Sequence, residues 1–151
     1  MYSVLFHIIL LAYLLASLLF WLAMGLRQRW LFQLAGGLLG AGFGLQTALL
    51  GYRLYMQVFL WWGDVATSLE LRSWAVIVVY LAVMWRYRLE AVGAFIVPLA
   101  FLAAAAAGMP VTTPARFPLA VQHVWLGLHI VLALLGYAAL TLTFCTAVMY
   151  L

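Results

Sequence analysis

SVLFHIILLAYLLASLLFWLAM, running from Ser3 to Met24, carries no charged side chain and a single histidine, His7. A helix needs about 20 apolar residues to cross about 30 Å of hydrocarbon, so this run reads as one membrane span. It is too long for the apolar core of a signal peptide and no basic segment precedes it, so it is expected to remain as the first span. Arg27 and Arg29 close it.

The same ruler divides the rest of the chain into four further spans, at about Leu31 to Leu50, Ser68 to Trp85, Ala91 to Gly108 and Val124 to Leu151. Gly36, Gly40 and Gly44 recur at every fourth position of the second. Such a row of small residues lets a neighbouring backbone approach where lipid gives no hydrophobic drive for helices to associate. Between the second and third spans, Gly51 to Ser73 mixes Tyr, Trp and Phe with Arg53, Gln57, Asp64, Glu70 and Arg72. Rings with polar edges collect at headgroup depth, so this stretch reads as an interfacial aromatic segment. Thr67 and Glu70 have the T-x-x-E spacing of a capping box, which would start the third helix there. Arg86 to Glu90 makes a tight basic turn. Pro98 falls near the middle of the fourth span, where it removes one backbone bond and requires a neighbour to take the freed carbonyl. Pro110, Pro114 and Pro118 then mark an extended connector.

The fold class expected is therefore all-α: a polytopic membrane helical bundle of about five transmembrane helices in one membrane domain over residues 1–151. The fifth span is still apolar at Leu151, so the chain is expected to be the N-terminal part of a longer membrane protein. Composition agrees with the class, since hydrophobic residues are 70% and charged residues 7% of the chain, against roughly 25% charged residues in soluble domains. All seven basic residues are Arg, spread along the chain, which excludes a nucleic-acid surface built on clustered cations. Arg27, Arg29, Arg86 and Arg88 fall on one side of the membrane, and Arg53, Arg72 and Arg116 on the other. The first set sits in two short turns, which places the N-terminus outside. The lone Cys145 forms no disulfide within the chain and belongs to no C-x-x-C motif.

Chemistry is confined to few groups. His7, His123 and His129 are the side chains suited to an iron or another metal, and all three fall toward the outer face. His123 and His129 are six residues apart, a turn of roughly 240° on a helix, so they do not chelate together. There is no H-E-x-x-H, no E-x-x-H and no acidic cluster, hence no zinc or di-iron set. An intramembrane histidine is either a ligand or the donor of a bond to a neighbouring helix, and both readings remain open for His129 and His7. Asp64, Glu70 and Arg72 read either as a small outer polar site or as solvated caps and headgroup contacts. No catalytic residues are assigned, and no self-contained catalytic site is visible.

WLGLHIVLALLGYAALTLTFCTAVMYL, from Trp125 to Leu151, resembles the cytochrome c assembly protein family, which includes CcsA/ResC haem-handling subunits and HemX-like membrane proteins. The match is a Trp, a following His, then Gly-Tyr-Ala and a helix of small residues. TSLELRSWAVIVVYL from Thr67 and AVGAFIVPLAFLAAAAAG from Ala91 are similar to further segments of that family. The resemblance implies a protein of the bacterial plasma membrane that binds or presents haem at the outer face for attachment to apocytochrome c, working with a second membrane subunit. His129 matches the external histidine that is an axial ligand of haem iron, and His7 is a weaker candidate. Gln46 stands where many relatives carry a histidine in the second span, so this chain departs from an intramembrane haem site on that helix. The alternatives are a HemX-like scaffold or regulator without haem chemistry, and a transporter fragment.

Overall fold

The computed structural model describes residues 2–56, 65–87, 90–109 and 124–150. Within them lie five helices, α1 (Tyr2–Leu26), α2 (Arg29–Met56), α3 (Val65–Tyr87), α4 (Gly93–Ala107) and α5 (Val124–Tyr150), with one turn of 3-10 helix at Glu90–Val92 before α4. Four of them, all but α4, are long and apolar enough to cross a membrane. The chain is thus an all-helical, multi-pass membrane protein. At about 1.5 Å per residue, the fifteen residues of α4 rise only about 22 Å, short of the hydrocarbon thickness. α4 packs against both α1 and α3, while α2 packs mainly against α1 and α5 mainly against α3.

Helix contacts follow the 3.6-residue repeat. Ile9, Tyr13, Ala16, Phe20 and Ala23 form the buried stripe of α1, facing Ala35 and Leu39 of α2 and Ala94, Ile96, Val97, Ala100 and Ala104 of α4. The opposite face of α1 exposes Leu11, Leu15, Leu18 and Leu22, a face that only lipid solvates at low cost. Phe20 packs edge-on to Tyr80 of α3, ring centroids 6.2 Å apart. A stacked pair, Phe43 and Trp74, joins α2 to α3, and the Trp74 indole donates to Thr47 Oγ1 at 2.9 Å. Along the largely exposed α5, the hydroxyls of Thr141, Thr143 and Thr146 donate to carbonyls one turn back, which satisfies them without a neighbour.

Several local expectations change. Within the stretch expected to be interfacial, Gly51–Met56 and Val65–Ser73 are helical, as the end of α2 and the start of α3. Thr67 is buried and lies two residues inside α3, past the N-cap position that a T-x-x-E capping box with Glu70 requires. A Cβ on Gly36, Gly40 or Gly44 would meet no atom within 4 Å, so the small-residue row is not a seam between the described helices. The close approaches fall on Gly42, where a Cβ would come 2.9 Å from the Tyr13 ring, on Gly93, against Tyr80 and Phe20, and on Gly108, 2.9 Å from the Phe6 ring. Residues 57–64, with Asp64, and residues 110–123, with the three clustered prolines and His123, lie outside the described residues. At the two-residue turn after α1, Arg27 takes a left-handed conformation, φ 53°, where helices usually place glycine.

Pro98 lies inside α4 and cannot donate to the carbonyl of Ala94 four residues earlier. The Trp21 indole of α1 donates to that oxygen at 2.6 Å, which is the neighbour the sequence requires. Trp21→Phe is expected to lower stability by about 1–3 kcal/mol, the cost of an orphaned buried carbonyl. Where Pro98→Ala supplies the missing N–H, the same substitution should cost less than half as much. Thermal unfolding in detergent reads both values, and equal losses in the two backgrounds would remove this role for Trp21.

Candidate functional site

The polar side chains gather where α1, α3 and α5 begin and α2 and α4 end, divided by α3 into two grooves. On one side of α3, Glu70 is 2% exposed and accepts from Arg53 of α2, Nη1 to Oε2 2.9 Å. The backbone oxygen of Glu70 accepts from Gln46 Nε2 at 3.2 Å, and Gln46 Oε1 accepts from the Tyr13 hydroxyl at 2.5 Å. One polar chain thus ties α1, α2 and α3 together at depth. Both ends of the Gln46 amide are committed to it, so Gln46 is here a structural link. Arg53 and Glu70 also border an open groove of about 500 Å³ with Ser3, His7, Phe6 and Met109. His7 is exposed, and its Nδ1 lies 2.6 Å from the Ser3 carbonyl. A carbonyl only accepts, so Nδ1 is the donor in this contact and Nε2 is the ring nitrogen left for another partner.

The other groove follows the seam of α3 and α5. Two residues on a helix turn it by about 200°, so Arg72 leaves α3 on the side opposite Glu70. Its guanidinium lies 5.2 Å from the centre of the Tyr137 ring. His129, Arg72 and Tyr137 border one cavity of about 270 Å³, and Arg72, Tyr137 and Leu134 also border an adjoining one of about 230 Å³. His129 is exposed and makes no hydrogen bond to a described residue.

No protein family, no curated protein and no solved structure matches this chain.

His129 and His7 therefore stand at the same end of the bundle but line separate grooves with no lining residue in common. A single cofactor gripped between α1 and α5 does not fit this arrangement, because α4 and α3 lie between those helices. The expected grouping of Glu70 with Arg72 is also replaced: Glu70 is a buried partner of Arg53 and not a solvated cap. Among the described residues, no three His, Cys, Asp or Glu side chains gather around a metal-sized site. Iron bound here would take one imidazole from the groove it occupies. Sequence reasoning did not find the Tyr13, Gln46, Arg53 and Glu70 chain. Its available signal was the pairing of opposite charges at the adjoining ends of two consecutive, antiparallel helices.

Proposed function

We propose that this protein binds or presents haem for covalent attachment to apocytochrome c, at the membrane face where α1, α3 and α5 begin. That face is the outer one in this reading, with Arg27, Arg29 and Arg86 at the cytoplasmic end, and the membrane is the bacterial plasma membrane. His129 is the axial ligand, and His7 is a second, weaker candidate in its own groove. The observation that carries the reading is the state of the His129 imidazole: exposed beside an open groove and bonded to no described residue. The donor set fits an iron porphyrin bearing carboxylates, since an imidazole, a guanidinium and an aromatic ring line the same seam with aliphatic side chains. Haem supplies the iron and the vinyl groups to be attached. The protein supplies a ligand, an apolar floor and a fixed position. A second ligand to the iron would come from outside the His129 groove, as from a partner subunit.

Ferric haem titrated into the detergent-purified protein should produce a saturable Soret shift. His129→Ala should raise Kd by about tenfold or more, the factor that corresponds to 1.4 kcal/mol, whereas His123→Ala should leave it unchanged. Equal affinities for the two variants would remove His129 as the ligand, and loss confined to His7→Ala would move the site to the other groove.

A further inference from the structure

We infer that Arg72 holds a carboxylate of the ligand in the His129 groove, so that the groove selects a porphyrin with free acid side chains; this rests on the haem reading above. Arg72 lies seven residues into α3, about 10 Å along the helix from Val65. A cation this far inside a membrane-spanning helix is costly unless something compensates it. No carboxylate among the described residues is paired with Arg72, and Glu70, two positions away, points to Arg53 instead. The Arg72 Cζ lies over the Tyr137 ring, 5.2 Å from its centre. A guanidinium has five N–H donors, and the fork they form, the part that fits a carboxylate, is bonded to no described carboxylate. Arg72 also borders both cavities of the seam, so an occupant of either one meets it.

The spacing narrows the ligand class. His129, Ala133 and Tyr137 follow one another at four-residue steps on the α5 face that lines the groove. Eight residues rise about 12 Å, which separates the imidazole level from the ring that Arg72 lies over. The two polar ends are thus apart, with aliphatic Ile130, Ala133 and Leu134 between them. A small anion would satisfy Arg72 and leave the imidazole and the apolar floor unused. A flat macrocycle with a metal at its centre and carboxylates on its edge uses all three. Arg72 is here a binding residue that sets orientation, with the acid edge deeper than the metal.

The test compares ferric haem with its dimethyl ester, in which both propionates are capped, on the full chain in neutral detergent. The protein should bind the diacid about tenfold or more tightly than the diester, a difference of the size of one charge-assisted contact. Arg72→Met, which keeps the apolar stem, should abolish the preference, and Arg72→Lys should retain part of it. Metal-free protoporphyrin and its dimethyl ester form a second arm, in which the preference should persist and be indifferent to His129→Ala. A preference in that arm without any His129 dependence for haem would sink the ligand assignment and leave Arg72 standing. Equal binding of diacid and diester, or a preference that survives in a folded Arg72→Met variant, overturns the inference. So does loss of the preference in phosphatidylglycerol nanodiscs but not in phosphatidylcholine ones, because the anion held by Arg72 would then be a lipid phosphate.

Discussion

Arg53→Met is expected to cost about 3 kcal/mol or more of stability, while Glu70→Gln, which breaks the same ion pair, should cost about 1 kcal/mol. The asymmetry comes from burial. Glu70 is 2% exposed and the Arg53 side chain 38% exposed, at the open end of the bundle. Removing the cation leaves a carboxylate in the interior without its counter-charge, and the interior cannot supply water in its place. Removing the anion leaves an arginine whose long stem can carry its head to the interface. The double variant Arg53→Met/Glu70→Gln should recover most of the loss of Arg53→Met alone, because the buried group is then neutral. Unfolding followed in mild detergent against increasing denaturing detergent gives all four values. Similar losses for the two single variants would mean that the pair acts by geometry and that the burial of its charge decides little.

The same residues connect stability to the candidate site. Glu70 is held through its carboxylate by α2 and, through its backbone oxygen, by Gln46, which in turn takes the Tyr13 hydroxyl of α1. Each link is a polar group in apolar surroundings, where an unmade bond costs more than a made bond contributes. The network therefore fixes the start of α3, and α3 carries both Glu70 toward the His7 groove and Arg72 toward the His129 groove. A weakened network should loosen the two grooves together, since one rigid element forms a wall of each.

Five helices were legible from the sequence because length and charge alone mark a span. SVLFHIILLAYLLASLLFWLAM and its four successors needed no knowledge of neighbours. The need for a donor to the carbonyl freed by Pro98 was also legible, since it follows from covalent chemistry, although nothing local named Trp21. Facing was not legible. In water, an apolar stripe against a polar face tells which side of a helix packs, but around α1 the buried Ile9 and the exposed Leu11 and Leu15 are equally apolar. For that reason the regular row Gly36, Gly40 and Gly44 looked like the packing seam, while Gly42 and Gly93, which stand outside the row, meet the neighbouring side chains. Glu70 was misread for a related reason. Thr67 and Glu70 satisfy a local spacing rule, yet α3 already includes Val65, and the partner of Glu70 lies on another helix seventeen residues back. Counting along the spans puts His129 and His7 at one common end, whereas their separation into two grooves depends on α3 standing between them.

Gly93→Val is expected to destabilise the bundle by about 3 kcal/mol, the upper part of the range for overpacking a filled core. Gly40→Val should stay within about 0.5 kcal/mol of the native chain. At Gly93 even a single Cβ would collide with the Tyr80 hydroxyl and come 2.8 Å from the Phe20 ring. Those two rings already pack edge to face, and both residues are 1% exposed, so neither can swing aside without opening the α1, α3 and α4 contact. Replacing glycine in a helix normally contributes up to about 1 kcal/mol, which is too little to offset displacing two aromatic rings. At Gly40 nothing lies within 4 Å, so the added methyls meet only the surroundings of α2 and the propensity gain is not opposed. In the Tyr80→Phe background the nearest clashing atom is gone, and the cost of Gly93→Val should fall by about 1 kcal/mol, a coupling typical of residues in contact. A loss at Gly40 as large as that at Gly93 would show that the small-residue row is an occupied interface, since no described atom lies within 4 Å of a Cβ at Gly40.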